Sequence, residues 1–121
     1  MTEARIRAKI LRYLNSLQYS DFHVSPPGSH TGKPDITGCL CSIHVGIEVK
    51  QPGLEPTKIQ EYRIKKIREA GGVAFCAHSV EEVRENAGIL AILWWLQHRA
   101  NKTKTILEVL IRLTQNLGGT R

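Results

Sequence analysis

Residues 32–50, GKPDITGCLCSIHVGIEVK, decide how this chain is read. Ile36, Gly38 and Leu40 alternate with other residues, as do Val45, Ile47 and Val49, the period-two pattern of two strands with one apolar face each. A hairpin turning at Cys41-Ser42 pairs positions whose numbers sum to 83 and so sets Asp35 opposite Glu48. That turn lacks the Gly or Asn a two-residue loop prefers, which leaves a slipped register or a longer loop open. Asp35, Glu48 and Lys50 are charges on an otherwise apolar stretch. Because an uncompensated buried charge is costly, they need either solvent or a function.

Working outward, Ile6, Ile10, Leu14 and Leu17 recur at helical spacing, with Leu11 widening the stripe, so residues 3–17 read as an amphipathic helix. Thr2 suits its N-cap and Glu3 its first turn. Phe22 and Val24 alternate with Asp21 and His23 in a short strand, which runs into the Gly- and Pro-rich loop 25–34. Pro56 suits the first position of a second helix, reaching about Ala70 and stopped by Gly71-Gly72. VAFCA, residues 73–77, has the continuous apolar character of a central strand buried on both faces. A right-handed crossover makes it parallel to strand 45–50. Ser79 with Glu82 and Thr105 with Glu108 are capping boxes that open further helices. The fold class is therefore α/β, a small mixed sheet flanked by helices.

The 121 residues suit a single domain with its own core. A formal net charge of +6 points to an acidic partner, nucleic acid first. Three Cys without zinc-ligand spacing read as reduced thiols in a cytoplasmic protein, and Cys39-x-Cys41 with His44 is too tightly spaced for a tetrahedral metal site. No signal peptide is evident. The longest apolar run, Ile89 to Leu96, is far shorter than the roughly 18 residues of a membrane span.

Residues two apart on a strand point the same way, so Glu48 and Lys50 share a face, joined by Asp35 if the pairing holds. Two facing carboxylates repel and need a cation between them. Lys50 supplies one charge, and a hard divalent ion held by carboxylate oxygens, with the backbone carbonyl of Val49, supplies the rest. That is a phosphodiesterase layout. Mg²⁺ or Mn²⁺ there polarises a phosphoryl oxygen and activates water, while Lys50 neutralises the developing phosphorane charge.

GKPDI, then IEVK, then Gln60 and Gly71-Gly72, resemble the VRR-Nuc branch of the PD-(D/E)xK nuclease superfamily over about residues 2–83. The short, stand-alone and often phage-encoded members are most similar. The resemblance implies a restriction-endonuclease-like fold, with Asp35 and Glu48 as metal ligands and Lys50 as the catalytic lysine. It adds Gln60, projecting from the second helix toward the site, and Glu3, matching an acid on the first helix and a further ligand. It also implies a homodimer that acts on branched DNA in the manner of Holliday-junction resolvases.

Other residues are less specific. Ser29, His30 and Lys33 lie in the loop beside Asp35, within reach of a DNA phosphate. His23 and His44 read as ordinary strand residues. Some basic residues of the two helices, among them Lys58, Arg63, Lys65, Lys66 and Arg68, should meet the DNA backbone. Residues 89–121 form a helical extension beyond the resemblance. Its segment 89–96, with Trp94 and Trp95, and the 106–117 stripe are expected at a dimer interface. The rival readings are a catalytically silent DNA-binding module and a structural subunit of a DNA-processing complex.

Overall fold

The computed structural model describes residues 1–26, 31–86 and 110–115. The chain divides into two units, Met1–Ala87 and Gly88–Arg121. Of the second, only 110–115 is described; it is helical, with Leu110, Ile111 and Leu113 exposed. Thr105, Glu108, Trp94, Trp95 and segment 89–96 lie outside the described residues, as do the ends of the 106–117 stripe.

The first unit runs α1 (Glu3–Ser16), β1 (Ser20–Val24), β2 (Ile36–Leu40), β3 (Ile43–Val49), α2 (Lys58–Glu69) and β4 (Val73–Ala77), followed by a helical stretch from 80 to 86. The four strands form one sheet in the order β1-β2-β3-β4. The first two pairings are antiparallel and β3 pairs with β4 in parallel, as a right-handed crossover through α2 requires. No described helix is long and apolar enough to cross a membrane.

The β2–β3 register pairs Ile36 with Ile47 and Leu40 with Ile43, so the expected sum of 83 holds. Cys41 and Ser42 form the tight turn with φ of 52° and 72°. Both positions take the left-handed conformation that a two-residue hairpin needs, although neither is Gly or Asn. Burial of the paired apolar residues, Ile36, Val45 and Ile47, outweighs the local cost, since a one-residue slip would turn that face to solvent.

Cross-strand partners share a face, so Phe22, Ile36, Leu40, Val45, Ile47 and Val49 line one side of the sheet. Helix α1 buries Ile6, Ile10 and Leu14 there, and Asn15 locks it to β1 by bonding both the N–H and the carbonyl of Phe22. The opposite side carries His23, Thr37, His44, Gly46 and Glu48, and faces α2. Gly46 makes close approach possible, because a Cβ there would lie 3.0 Å from Pro34 Cγ and 3.1 Å from Ile67 Cδ1.

Three expectations shift. The doubly buried strand is β3, from Val45 to Val49, whereas β4 ends the sheet among the described residues and only Ala74 and Ala77 are fully buried. Val73, Phe75 and Cys76 are only half-buried, as befits a strand at an edge. Helix α2 starts at Lys58 rather than at Pro56, capped by Thr57, whose hydroxyl accepts from Gln60 N–H while the Gln60 side chain accepts from Thr57 N–H. Helix α1 closes at Ser16, with Leu17 as its half-buried C-cap. The end of α2 is as expected: Gly71, at φ 94°, donates to Arg68 and Gly72 donates to Ile67, a Schellman closure.

Candidate active site

Asp35 precedes the first paired residue of β2. Its carbonyl accepts from Ser25 N–H at 2.8 Å and its Oδ2 accepts from Val49 N–H at 2.9 Å. The side chain thus takes the place of the next rung in the β2–β3 ladder. Val49 N–H leaves β3 toward Asp35, whereas the next N–H, of Lys50, turns to Ala77 of the β4 side. An extended residue sends its carbonyl out on the same side as its N–H, so the Val49 carbonyl also faces the Asp35 side.

Glu48 is the buried member of the pair, with 2% of its surface exposed. Its Oε1 accepts from Gln60 Nε2 at 2.9 Å, and its Oε2 is enclosed with no partner. Burial first, then the neighbouring charge of Asp35, push the Glu48 carboxyl up to about 8, against a pull from Lys50. Glu3 adds a further upward push, which puts its carboxylate within electrostatic reach of Glu48.

Gln60 does two things at once. Its carbonyl oxygen closes the α2 capping box and its amide holds Glu48, so the start of the helix is tied to the acid. Cys76, paired with Glu48 across β3–β4, is an uncharged thiol: burial first, then Glu55, Glu48 and Glu82, push it up to about 11. Beyond Lys50, His78 links the following loop to the last helix of the unit. Its Nε2 donates to the Leu54 carbonyl at 2.8 Å, and its Nδ1 and main-chain N–H meet Glu82 Oε2. Glu82 therefore spends its carboxylate on His78 rather than on a reciprocal box with Ser79.

Among the described residues no three His, Cys, Asp or Glu side chains gather into a metal cage. What exists is a carboxylate pair with an orphaned buried oxygen, beside a main-chain carbonyl. Hard oxygen donors carrying excess negative charge fit Mg²⁺ or Mn²⁺, which keep water and phosphate oxygens in the rest of their shell. A divalent ion there would offset the charge that burial and the neighbouring Asp35 make costly on Glu48. Asp35, Glu48 and Val49 are the donors this geometry offers, with Glu3 contributing through its charge.

Neither a protein-family model nor a curated protein matches the sequence. Among the solved structures that match in three dimensions are two whose titles name one domain. One, titled "VRR_NUC domain protein", is 22% identical at a TM-score of 0.56, covering 69% of this chain and 82% of its own. The other, titled "VRR_NUC domain", is 20% identical at a TM-score of 0.60, covering 69% of this chain and 90% of its own. The fold is that of VRR-Nuc domains. The expected small mixed α/β sheet flanked by helices is therefore present.

Within this VRR-Nuc frame, Lys33 is exposed and lines a cavity with Pro34 and Arg63, while Ser29 and His30 lie outside the described residues. Sequence reasoning left Arg63 among several undifferentiated basic residues, yet its Nε is enclosed without a hydrogen-bond partner. The signal available was its spacing: three residues after Gln60, it falls on the same helix face. Arg68, by contrast, is committed to the Ala74 carbonyl. Lys65 and Lys66 reach Glu69.

Proposed function

We propose that this chain is a Mg²⁺- or Mn²⁺-dependent DNA endonuclease acting on branched or structured DNA as a homodimer. The observation that carries the reading is the orphaned, buried Oε2 of Glu48 beside Asp35, with Gln60 fixing the other oxygen. A structural acid would be better replaced by an apolar residue; an acid kept at this cost fits a cation site. The fold supports a nuclease, and the exposed Leu110 and Leu113 are consistent with an association surface.

A divalent ion held by Asp35, Glu48 and the Val49 carbonyl supplies charge neutralisation and an acidified water. Gln60 keeps Glu48 in one rotamer with Oε2 directed away from the helix. Val49 N–H does the same for Asp35. Lys50, half-buried and two residues from Glu48 on the same face, places its ammonium where negative charge builds on the phosphorane. Hydrolysis adds water across the P–O3′ bond and leaves a 5′-phosphate and a 3′-hydroxyl.

The test is an assay of four-way junctions, flaps, nicked and linear duplexes with Mn²⁺, using wild type and Lys50→Ala. Wild type should cut at least one branched substrate, and the variant should lose cleavage by at least about a thousandfold with DNA affinity within about threefold. Uncut DNA at high wild-type concentration makes the chain a binding module of the same fold. Cleavage by the variant at a near wild-type rate removes Lys50 from the mechanism.

A further inference from the structure

On the face of the sheet that carries Glu48, a cavity of about 440 Å³ opens between the strands and α2. Its volume is that of a small-ligand site rather than of a packing defect. Pro34 and Ile67 form an apolar lining with Thr37, whose hydroxyl meets His23 Nε2 at 3.3 Å. Lys33 and Arg63 bring fixed positive charge, and His23 and His44 bring two imidazoles. Among the described residues no acidic side chain lines it. The Arg63 Nε is enclosed and unpartnered, although its guanidinium lies 6.0 Å from the Tyr62 ring. A buried donor without an acceptor is rare in a folded protein and is satisfied when something brings an acceptor to it.

The cavity's position relates it to the acids. Pro34 adjoins Asp35, Arg63 lies one helical turn beyond Gln60, and Gly46, against Pro34 and Ile67, is two residues before Glu48 on the same face. At roughly 3.3 Å per strand residue, the lining around Gly46 is about 7 Å from Glu48, about one nucleotide along a DNA strand. An anion alone would not need the apolar lining, and an apolar ligand would not need Lys33 and Arg63. A nucleotide needs both. Stacked bases of an intact duplex cannot enter a concave pocket, whereas an unpaired nucleotide can turn into it.

Resting on the nuclease reading of the neighbouring acids, we propose that this cavity is a subsite for one unpaired nucleotide of the DNA strand flanking the scissile bond. Lys33 and Arg63 take its phosphate, the base lies over Pro34, Ile67 and Thr37, and His23 and His44 border it. The subsite gives the protein its preference for DNA in which a strand has left the helix. It also gives a specific role to a basic residue of α2 and to two strand histidines that sequence reasoning left without one.

The test measures binding in EDTA, so cleavage does not enter. Fluorescence anisotropy compares a duplex containing a four-nucleotide gap with the same duplex fully paired, for wild type, Arg63→Gln and Lys33→Gln. Wild type should prefer the gapped DNA by at least about tenfold. Each variant should cut that preference to below about threefold, weakening gapped DNA more than paired duplex. In parallel, dTMP titrated into the labelled protein should shift the His23 and His44 ring resonances, and inorganic phosphate should shift them less. Equal weakening of both DNAs by the variants, or no wild-type preference, overturns the proposal. A circular dichroism melt confirms that the variants fold, and His44→Ala gives a second route to the same comparison. Gapped-DNA preference without Mn²⁺-dependent cleavage would leave the subsite standing and remove the nuclease reading; cleavage without preference does the reverse.

Discussion

Replacing Glu48 by Gln should make the metal-free protein more stable while destroying its activity. In the folded chain Glu48 holds its proton to about 8, against an ordinary 4.5. A carboxyl with a raised folded pKa contributes most stability below its unfolded pKa and loses it as pH climbs through the folded one. Each unit of difference is worth about 1.4 kcal/mol, so wild type should lose about 3 kcal/mol between pH 4.5 and 7 and about 5 kcal/mol by pH 8 and above. The Glu48→Gln variant removes the ionisation. Its carbonyl can still accept from Gln60, and its neutral amide carries no charge to bury beside Asp35. Urea denaturation in EDTA should therefore show the variant more stable by about 3 kcal/mol at pH 7, a midpoint shift of about 1–3 M, with the gap below about 1 kcal/mol at pH 5. Mn²⁺ should raise the wild-type midpoint and leave the variant unmoved. A variant less stable than wild type at pH 8, or a wild type whose stability ignores pH between 5 and 8, would refute the reasoning.

Gln60 offers a second separation of roles. Gln60→Ala loses the capping box and the Glu48 partner together and should cost about 1–3 kcal/mol by thermal melting, whereas Gln60→Glu can keep the cap but should still lose cleavage because a carboxylate cannot donate to Glu48. The backbone carbonyl of Leu54, and secondarily Glu82 and Glu55, raise the His78 pKa against its desolvation. Its stabilising contribution should be complete below about pH 6.5 and fade as pH rises through the higher folded value, and His78→Gln should flatten that dependence in hydrogen-exchange rates of 51–56 and 79–86. Ser42→Gly, at φ 72° on an exposed turn, should stabilise the hairpin by about 0.5–1 kcal/mol in chemical denaturation, because Gly adopts that conformation without a Cβ penalty.

The hairpin and its acids were legible because alternation of Ile36, Leu40, Val45 and Ile47 admits one register that buries them all, and that register places Asp35 opposite Glu48. The crossover to β4 followed from chain connectivity and handedness. The edge position of β4 did not, since an apolar run says which residues avoid water and nothing about how many strands lie beyond it. Gln60 was legible only by resemblance: its link to Glu48 spans an α2 start set by Thr57, which competes with Pro56 for the same local signal. Arg63 and the cavity were hidden because a cationic helix residue has the same pattern whether its head is in solvent or enclosed. The His78 links were hidden because its partners lie in two different segments, Leu54 and Glu55 in the loop after β3 and Glu82 on the helix that follows His78.

Asp35 is held by a main-chain amide that belongs to the residue between Glu48 and Lys50. The spacing of the two acids is thus borrowed from the pitch of the sheet, not from the conformation of the loop leading to Asp35. A segment 25–33 of another length or sequence would therefore leave the distance between the two acids unchanged, and the loop and the acid pair can vary independently.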